Sequence, residues 1–99
     1  MAFKIIWSEP ALDDLRCLTD FVAADNPAAA EKLGHAILAK TRYLTVHPHI
    51  GRMVPEIGMK NVRELIHRPY RIIYRVNSNN ETIAIVRVWH GARGEPEIF

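Results

Sequence analysis

Apolar and polar positions in the first half of the chain alternate with the spacing of an α-helix. Large apolar side chains follow one another at steps of one to four positions, which places them on one side of a helix. They are Leu12, Leu15, Leu18, Phe21 and Val22. Ser8 offers an N-cap, and Glu9 and Pro10 both suit a first helical turn. The pattern predicts an amphipathic helix over 9–24.

A second helix is predicted directly after the first. Asn26 is a suitable cap, Pro27 fits the first helical position, and the apolar spacing continues to about residue 46. The side chains expected on its buried side are Ala30, Leu33, Ala36, Ile37, Thr41 and Leu44. Because a short break at 25–27 joins the two helices, they are expected to fold back as an antiparallel hairpin.

The remaining apolar runs are short, rich in β-branched residues and typical of strands. Phe3–Trp7 predicts a first strand, and Asn61–His67, Tyr70–Val76 and Thr82–His90 predict three more. Residues 47–60, with their prolines and glycines, are expected to form a loop. The order β-α-α-β-β-β predicts an α+β fold, in which the helix hairpin packs on one face of a mostly antiparallel sheet.

Alternation within the last two strands predicts the two faces of the sheet. The face expected against the helices carries Ile72, Tyr74, Val76, Ala84, Val86 and Val88. The opposite, outer face then carries Arg71, Ile73, Arg75, Ile83, Ile85, Arg87 and Trp89. Arginine and tryptophan are frequent interface anchors, so we expect the outer face to bind a partner. In the alternative, the C-terminal tail covers this face within the monomer.

The length of 99 residues fits one domain, 1–99. The net charge is only +2, but residues 60–93 hold seven Lys/Arg against two Asp/Glu. This basic half indicates an anionic partner, either a nucleic acid or an acidic peptide. The single cysteine, Cys17, excludes an internal disulfide and is expected to be a small buried or half-buried filler of the first helix.

No cofactor and no metal site are predicted. His47 and His49 flank a proline in the loop, without an acid or cysteine at the spacing of metal ligands. The beginning, 1–10, lacks the length and cleavage site of a signal peptide, and no apolar run is long enough for a membrane helix. A cytoplasmic protein is therefore expected.

Four segments of the chain resemble the RelE/ParE superfamily of toxins. Residues 62–76 (VRELIHRPYRIIYRV) and 83–93, which end in VWHGAR, resemble its conserved C-terminal part. Residues 8–15 (SEPALDDL) and 47–51 (HPHIG) resemble the ParE branch. The resemblance implies the same β-α-α-β-β-β fold and a toxin of a type II toxin–antitoxin system. It also implies a cognate antitoxin whose acidic-apolar segment folds around the toxin.

The resemblance leaves two targets open. ParE-like members bind and block DNA gyrase, which requires a surface and no catalytic group. RelE-like members are endoribonucleases that cut mRNA on the ribosome, which requires cations for the phosphate and a residue that moves a proton. For that activity the candidates are Arg71, which falls on a catalytic arginine of the RelE pattern, and His90, Arg93 and His67.

The chain departs from the nuclease pattern at the residues that would do the chemistry. The lysine pair of that pattern falls on Val62 and Glu64, and Phe99 lacks the hydroxyl of its C-terminal tyrosine. His90 also has a structural alternative, in which it caps its strand or bonds to the following loop.

We therefore predict a ParE-like gyrase inhibitor that is not itself an enzyme, with a RelE-like endoribonuclease as the alternative. An inactive relative with a different target is the third possibility. The tail, 91–99, is expected to share in partner contacts. The residues expected to bind the antitoxin or the target are Arg63, Arg71, Ile73, Arg75, Ile85, Arg87, Trp89 and Arg93.

Overall fold

The computed structural model describes residues 2–98, so Phe99 of the predicted tail lies outside the described residues. Two helices pack on one face of a five-stranded sheet, which confirms the predicted α+β fold. The elements are β1 (Lys4–Trp7), α1 (Glu9–Ala23), α2 (Pro27–Tyr43), β2 (Arg52–Met53), β3 (Val62–His67), β4 (Tyr70–Asn77), β5 (Thr82–His90) and a 3-10 turn (Gly91–Arg93). The strand order is β1-β5-β4-β3-β2, with β1 parallel to β5 and the other pairs antiparallel.

Both helices begin at the predicted caps. The Ser8 hydroxyl accepts a hydrogen bond from the Ala11 N–H at 3.2 Å, and the Asn26 amide oxygen accepts one from the Ala29 N–H at 3.1 Å. Each cap satisfies one of the N–H groups that a first helical turn leaves without a partner. Within residues 2–98, neither helix has the length and apolar character needed to cross a lipid bilayer.

The buried side of α2 was predicted well, although the helix ends at Tyr43 and not near residue 46. Ala30, Ile37, Thr41 and Leu44 are all buried, as the spacing predicted. Ile37 and Leu44 belong to the larger of two hydrophobic clusters, which lies between the helices and the sheet and is called the main core below.

The apolar stripe of α1 is narrower than predicted. Ala11 and Leu18 are buried and Leu15 packs against them, which fills the side of the helix that faces β5. Phe21 is 80% exposed, so its assignment to the buried stripe is wrong. Cys17 is exposed as well, which corrects the expectation that it fills the core. An exposed aromatic beside an exposed thiol leaves one side of α1 apolar and accessible.

The segment predicted as a loop, 47–60, contains the short edge strand β2. Arg52 pairs with Glu64 and Met53 pairs with Arg63, antiparallel to β3. A strand of two residues is too short to show a period of two in the sequence. Its consequence is that Arg52 lies beside the central part of β3.

A β-bulge in β5 corrects the predicted faces of the sheet. Ile73 pairs with Arg87, but Tyr74 pairs with Ile85, which leaves Val86 as an extra residue in β5. The extra residue shifts the alternation by one position. Ile83 and Ile85 therefore face the helices and belong to the main core, whereas Val86 lies on the outer side with Ile73 and Trp89.

The outer face is not the exposed apolar surface that the sequence indicated. Ile73 and Trp89 are buried with Val54 and Val62 in a second, smaller core. Ile57 from the loop after β2 and Ile98 from the C-terminal tail pack against this core. The alternative, in which the tail covers the outer face within the monomer, describes this part of the structure.

A close approach at Gly51 ties the loop after α2 to the sheet. The Gly51 N–H donates to the Tyr74 hydroxyl at 2.9 Å. A Cβ atom on Gly51 would lie 2.5 Å from the Glu64 backbone oxygen and 2.6 Å from the Tyr74 hydroxyl. Since the backbone of β3 is held by strands on both sides, Gly51→Ala is expected to lower the free energy of unfolding by roughly 1–3 kcal/mol in urea denaturation.

Gly34→Ala provides the matched control for this substitution. A Cβ atom on Gly34 would make an ordinary contact with the Thr19 methyl group at 3.6 Å. Because glycine inside a helix costs roughly 0.5–1 kcal/mol relative to alanine, Gly34→Ala is expected to be neutral or stabilising. Equal losses of stability in the two variants would contradict the steric explanation for Gly51.

Candidate functional site

The guanidinium of Arg71 is held by two carboxylates on the outer face of the sheet. Its Nε donates to Glu64 Oε1 at 2.6 Å, and its two Nη atoms donate to the two oxygens of Glu56 at 2.8 Å each. Only 13% of the Arg71 side chain is exposed. The pKa of Arg71 is raised mainly because it donates to Glu56, and Glu64 adds to this effect while burial opposes it. Each nitrogen of this fork already has a carboxylate partner.

Glu64 is the buried centre of this cluster. Its side chain is fully shielded from solvent, and its second oxygen accepts from Arg52 Nε at 2.6 Å. One carboxylate therefore bridges two arginines, Arg52 from the edge strand β2 and Arg71 from β4. Because an unpaired carboxylate at this depth would be costly, Glu64 depends on these arginine partners.

Glu56 is the second acid of the cluster, and its contact with Arg71 depends on pH. The pKa of Glu56 is lowered from 4.5 to about 2, mainly because Arg71 donates hydrogen bonds to it. Since the folded pKa lies below the unfolded one, the stabilisation is complete above about pH 4.5 and is lost as the pH falls toward 2.

Glu56→Gln is expected to remove this part of the acid sensitivity. Urea midpoints measured from neutral pH down to about pH 3 should fall less steeply for the variant than for the wild type. Glu31→Gln, on the exposed side of α2, serves as the control and should follow the wild type. Parallel pH profiles for Glu56→Gln and wild type would show that the contact with Arg71 adds no stability.

Two further arginines of the predicted binding set also bond within the molecule. Arg63 donates to the Gly51 carbonyl at 2.8 Å and so holds the loop that precedes β2. Arg87 donates to both oxygens of Asp14 at 2.8 Å, across the edge of β5 that extends beyond β1. The hydrogen bonds from Arg87 to Asp14 raise the pKa of Arg87. Arg75 is half-buried on the same face and has intramolecular interactions of its own.

Trp89 makes contacts with two arginine guanidinium groups. The guanidinium carbon of Arg93 lies 3.9 Å from the centre of the indole, and that of Arg87 lies 5.0 Å from it. The indole N–H donates to the Gly94 carbonyl at 3.2 Å. These contacts fix the turn after β5, and Arg93 remains exposed whereas Arg63, Arg71, Arg75 and Arg87 are half-buried.

The four candidates for ribonuclease chemistry are divided between the two faces of the sheet, although His90 and Arg93 lie close enough to line the same groove. Tyr70 pairs with His67 on one side and His90 on the other, so these side chains lie on the helix face of the sheet. Arg71 is the next residue along β4 and points to the opposite face. Arg93 lies over Trp89 at the end of β5.

The two histidines are engaged in different ways. His90 Nδ1 accepts from the Ala92 N–H at 3.0 Å, and its ring meets that of Tyr70 edge-on. This is the contact that the structural alternative for His90 predicted. The pKa of His67 is lowered because burial disfavours its charged form, and Lys40 adds to the shift. Because this shift disfavours the charged form, His67 is poorly suited to supply a cation for a phosphate.

An apolar groove, which the sequence did not indicate, opens between α1 and the ends of β4 and β5. Its volume is about 370 Å³, and it is lined by Asp14, Cys17, Leu18, Phe21, Tyr70, Val88, His90 and Arg93. Phe21 continues the apolar spacing of the buried leucines, so the sequence predicted that it lies in the core. The sheet covers only a narrow stripe of α1, and this leaves the Phe21 ring exposed.

A basic cleft lies beside the groove, at the same end of the sheet. Its volume is about 460 Å³, and its lining includes Arg52, Ile66, Arg68, Tyr70 and Arg71. The arginines come from β2, the β3–β4 turn and β4, three segments that are separated in the sequence. Arg52 and Arg68 were outside the predicted binding set.

Comparison with known proteins identifies the family. The protein family described as "ParE toxin of type II toxin-antitoxin system, parDE" matches residues 5–94 of this chain. The chain belongs to this family of toxins. Within the wider RelE/ParE superfamily, Toxin RelE2 of Caulobacter vibrioides is 30% identical over 91 residues, which cover 91% of this chain and 97% of that toxin. The predicted superfamily is thereby confirmed.

Solved structures of toxins from the superfamily share the fold. The chromosomal ParDE TA system from P. aeruginosa matches with a TM-score of 0.72 and 25% identity over 90% of this chain and 96% of the other. The toxin–antitoxin complex RelBE2 from Mycobacterium tuberculosis matches with a TM-score of 0.60 and 18% identity, over 91% and 99%. A mutant of E. coli toxin RelE in the free state gives 0.62 and 18%, over 95% and 88%.

Proposed function

We propose that this toxin acts in the cytoplasm by binding and inhibiting DNA gyrase, and that a cognate antitoxin neutralises it. The toxin has no catalytic role of its own in this proposal. The observation that carries it is the state of Arg71, the residue that falls on a catalytic arginine of the RelE pattern. Its nitrogens donate to Glu64 and Glu56.

An arginine in this state is poorly suited to stabilise a cleaved phosphate. To reach an RNA phosphate, Arg71 would have to break the bidentate contact with Glu56, and the buried charge of Glu64 would remain beside the phosphate. Val62, at one of the expected lysine positions, is buried in the second core. Negative charge and apolar packing thus replace the cations that phosphate chemistry uses.

The antitoxin part of the proposal is supported by the relatives. The similar structures include the ParDE TA system and the RelBE2 toxin–antitoxin complex. The 30% identity with Toxin RelE2 extends over most of both chains. An antitoxin partner for this chain is the simplest inference from these neighbours.

The proposal is tested by two parallel assays of the purified toxin, freed of antitoxin. One follows supercoiling of relaxed plasmid by gyrase, and the other follows cleavage of mRNA on translating ribosomes. We expect supercoiling to be inhibited, the RNA to remain intact, and added antitoxin to restore supercoiling. Cut RNA with normal supercoiling would establish the endoribonuclease, and no effect in either assay would indicate an inactive relative.

His90→Asn sharpens this comparison. Asparagine offers an oxygen to the Ala92 N–H where His90 Nδ1 accepts it, but it cannot transfer a proton as imidazole does. Gyrase inhibition is expected to persist in the variant. A ribonuclease that uses His90 as acid or base would instead lose about 10²–10⁴-fold in rate.

A further inference from the structure

We propose that the apolar groove and the basic cleft together form one docking surface for an acidic-apolar segment of a partner protein. The inference rests on the proposed function in one respect, because it takes the cognate antitoxin as that partner. The sequence indicated the outer sheet face as the partner-binding surface. The proposed surface lies instead at the end of the sheet, at Tyr70 and the turn Gly91–Arg93.

The groove supplies the apolar half of this surface. Phe21 leaves 80% of its area in water although it stands on a helix that packs against the core. Leu18 and Val88 are buried and line the groove beneath it, and the exposed Cys17 lies one turn before Phe21 on the same side of α1. A concave apolar patch next to a large exposed aromatic is suited to hold apolar side chains of a partner.

The cleft supplies the charged half. Three arginines, Arg52, Arg68 and Arg71, line it, while the carboxylates bound to them are Glu64 and Glu56. The difference, three positive charges less two negative ones, leaves a positive cleft. Arg68 is exposed, and 59% of the Arg52 side chain is exposed although its Nε binds Glu64. Lys40, whose ammonium donates to the Ile66 carbonyl at 2.8 Å, adds positive charge at this edge.

The two halves are continuous. Tyr70 lines both, and the turn Gly91–Arg93 lies between them, with Gly91 and Ala92 on the cleft side and Arg93 on the groove side. The Gly91 N–H donates to the Pro69 carbonyl at 2.8 Å, which holds this turn against the β3–β4 connection. A segment that crosses the turn would therefore set apolar side chains beside Phe21 and carboxylates beside Arg68.

Charge complementarity selects the occupant. An acidic-apolar segment satisfies both halves, because carboxylates pair with exposed arginines and apolar side chains fill the groove. A nucleic acid would suit the cleft but would meet apolar walls and the Asp14 carboxylate in the groove. A second copy of the chain would present the same groove and the same basic cleft, without carboxylates for Arg68.

The only cysteine of the chain reports occupancy of the groove without any substitution, because Cys17 lines it and is exposed. The rate of maleimide labelling is measured for the free toxin and for its purified complex with the antitoxin encoded beside it. We expect labelling in the complex to be slower by about tenfold or more, since the reagent reaches the thiol only when the complex opens. The control carries Cys17→Ser and Ser78→Cys, which places the thiol in the exposed turn at the far end of β4 and β5. Its labelling rate should not change in the complex.

Substitutions in each half test the chemistry of the occupant. Phe21→Ala and Arg68→Glu are each expected to weaken antitoxin binding by about tenfold or more in calorimetric titrations. The matched controls are Val46→Ala, at a 69% exposed apolar residue after α2, and Lys32→Glu, on the exposed side of α2. Both are expected to leave the affinity within about twofold of wild type.

The outcomes separate this inference from the proposed function. A stable complex with unchanged Cys17 labelling and unchanged affinity of Phe21→Ala and Arg68→Glu would overturn the docking surface and leave the toxin–antitoxin pairing intact. Failure of the toxin to bind any such antitoxin would overturn both. Protection of Cys17 in the free toxin at high concentration, or by a short oligonucleotide, would assign the surface to a second copy or to nucleic acid and would also overturn the inference.

Discussion

Replacement of Glu64 by alanine is expected to lower the free energy of unfolding by roughly 3–5 kcal/mol. The Glu64 side chain is fully buried and binds Arg52 and Arg71 at 2.6 Å each. Its removal leaves Arg71, which is 13% exposed, with Glu56 as its carboxylate partner and leaves Arg52 without the contact to its Nε. The loss arises mainly because the buried Arg71 Nε is left without an acceptor, while Glu56 continues to bind the two Nη atoms.

Two comparisons make this prediction specific. Glu31→Ala, on the exposed side of α2, is expected to change stability by less than about 0.5 kcal/mol. The double replacement Glu64→Met with Arg71→Met removes both charges and is expected to recover much of the lost stability. The measurement is urea denaturation followed by circular dichroism. A loss for Glu64→Ala no larger than that for Glu31→Ala would mean that the cluster is not a structural element.

Replacement of Trp89 by alanine is expected to cost roughly 3–5 kcal/mol of unfolding free energy. Trp89 is 2% exposed and packs with Val54, Val62 and Ile73 in the second core. The substitution also removes the indole contacts with the Arg87 and Arg93 guanidinium groups and the hydrogen bond to Gly94 in the tail. A cavity and a loosened C-terminal tail are both expected.

Phe21→Ala is the matched aromatic control for this experiment. Because the Phe21 ring is 80% exposed, its removal is expected to change stability by less than about 0.5 kcal/mol. The sequence alone indicated the opposite roles, with Trp89 as an exposed anchor and Phe21 in the core. Thermal and urea unfolding of the two variants decides between these assignments, and a larger loss for Phe21→Ala than for Trp89→Ala would reinstate the interpretation from the sequence.

Arg71→Glu is an unsuitable probe of partner binding, because Arg71 belongs to the buried cluster with Glu64 and Glu56. The substitution would set a third carboxylate against Glu64 and Glu56 on the outer face. A loss of antitoxin binding in that variant would follow from unfolding as readily as from a lost contact. Arg68, which is exposed and lines the cleft, carries the charge test without this complication.

Much of the fold was accessible from local sequence signals. Ser8 and Asn26 act within one turn of the helices that they begin, so a short stretch of sequence contains the information for each cap. The apolar spacing of α2 also predicted its buried side, and Ala30, Ile37 and Thr41 are buried at that spacing. The family resemblance in 62–76 and 83–93 then agreed with the matched family.

The candidate site was less accessible, because its residues meet only through the sheet. Arg52 and Glu64 are twelve positions apart and come together across β2 and β3. Arg87 and Asp14 are even further apart and meet at the edge of β5. No local pattern shows that Arg71 and Arg87 already have carboxylate partners. The composition gives the number of charged residues but not which of them form ion pairs.

The sequence by itself determined the α+β class, the helix caps, the order of the main elements and membership of the toxin superfamily, because these depend on local spacing and on contiguous motifs. The tertiary structure decided which apolar residues are buried. One extra residue in β5 turned Ile83 and Ile85 toward the helices, and the loop and tail residues Ile57 and Ile98 packed over Ile73 and Trp89. The area that each element can cover, and not the hydrophobicity of a residue, left Phe21 at the surface.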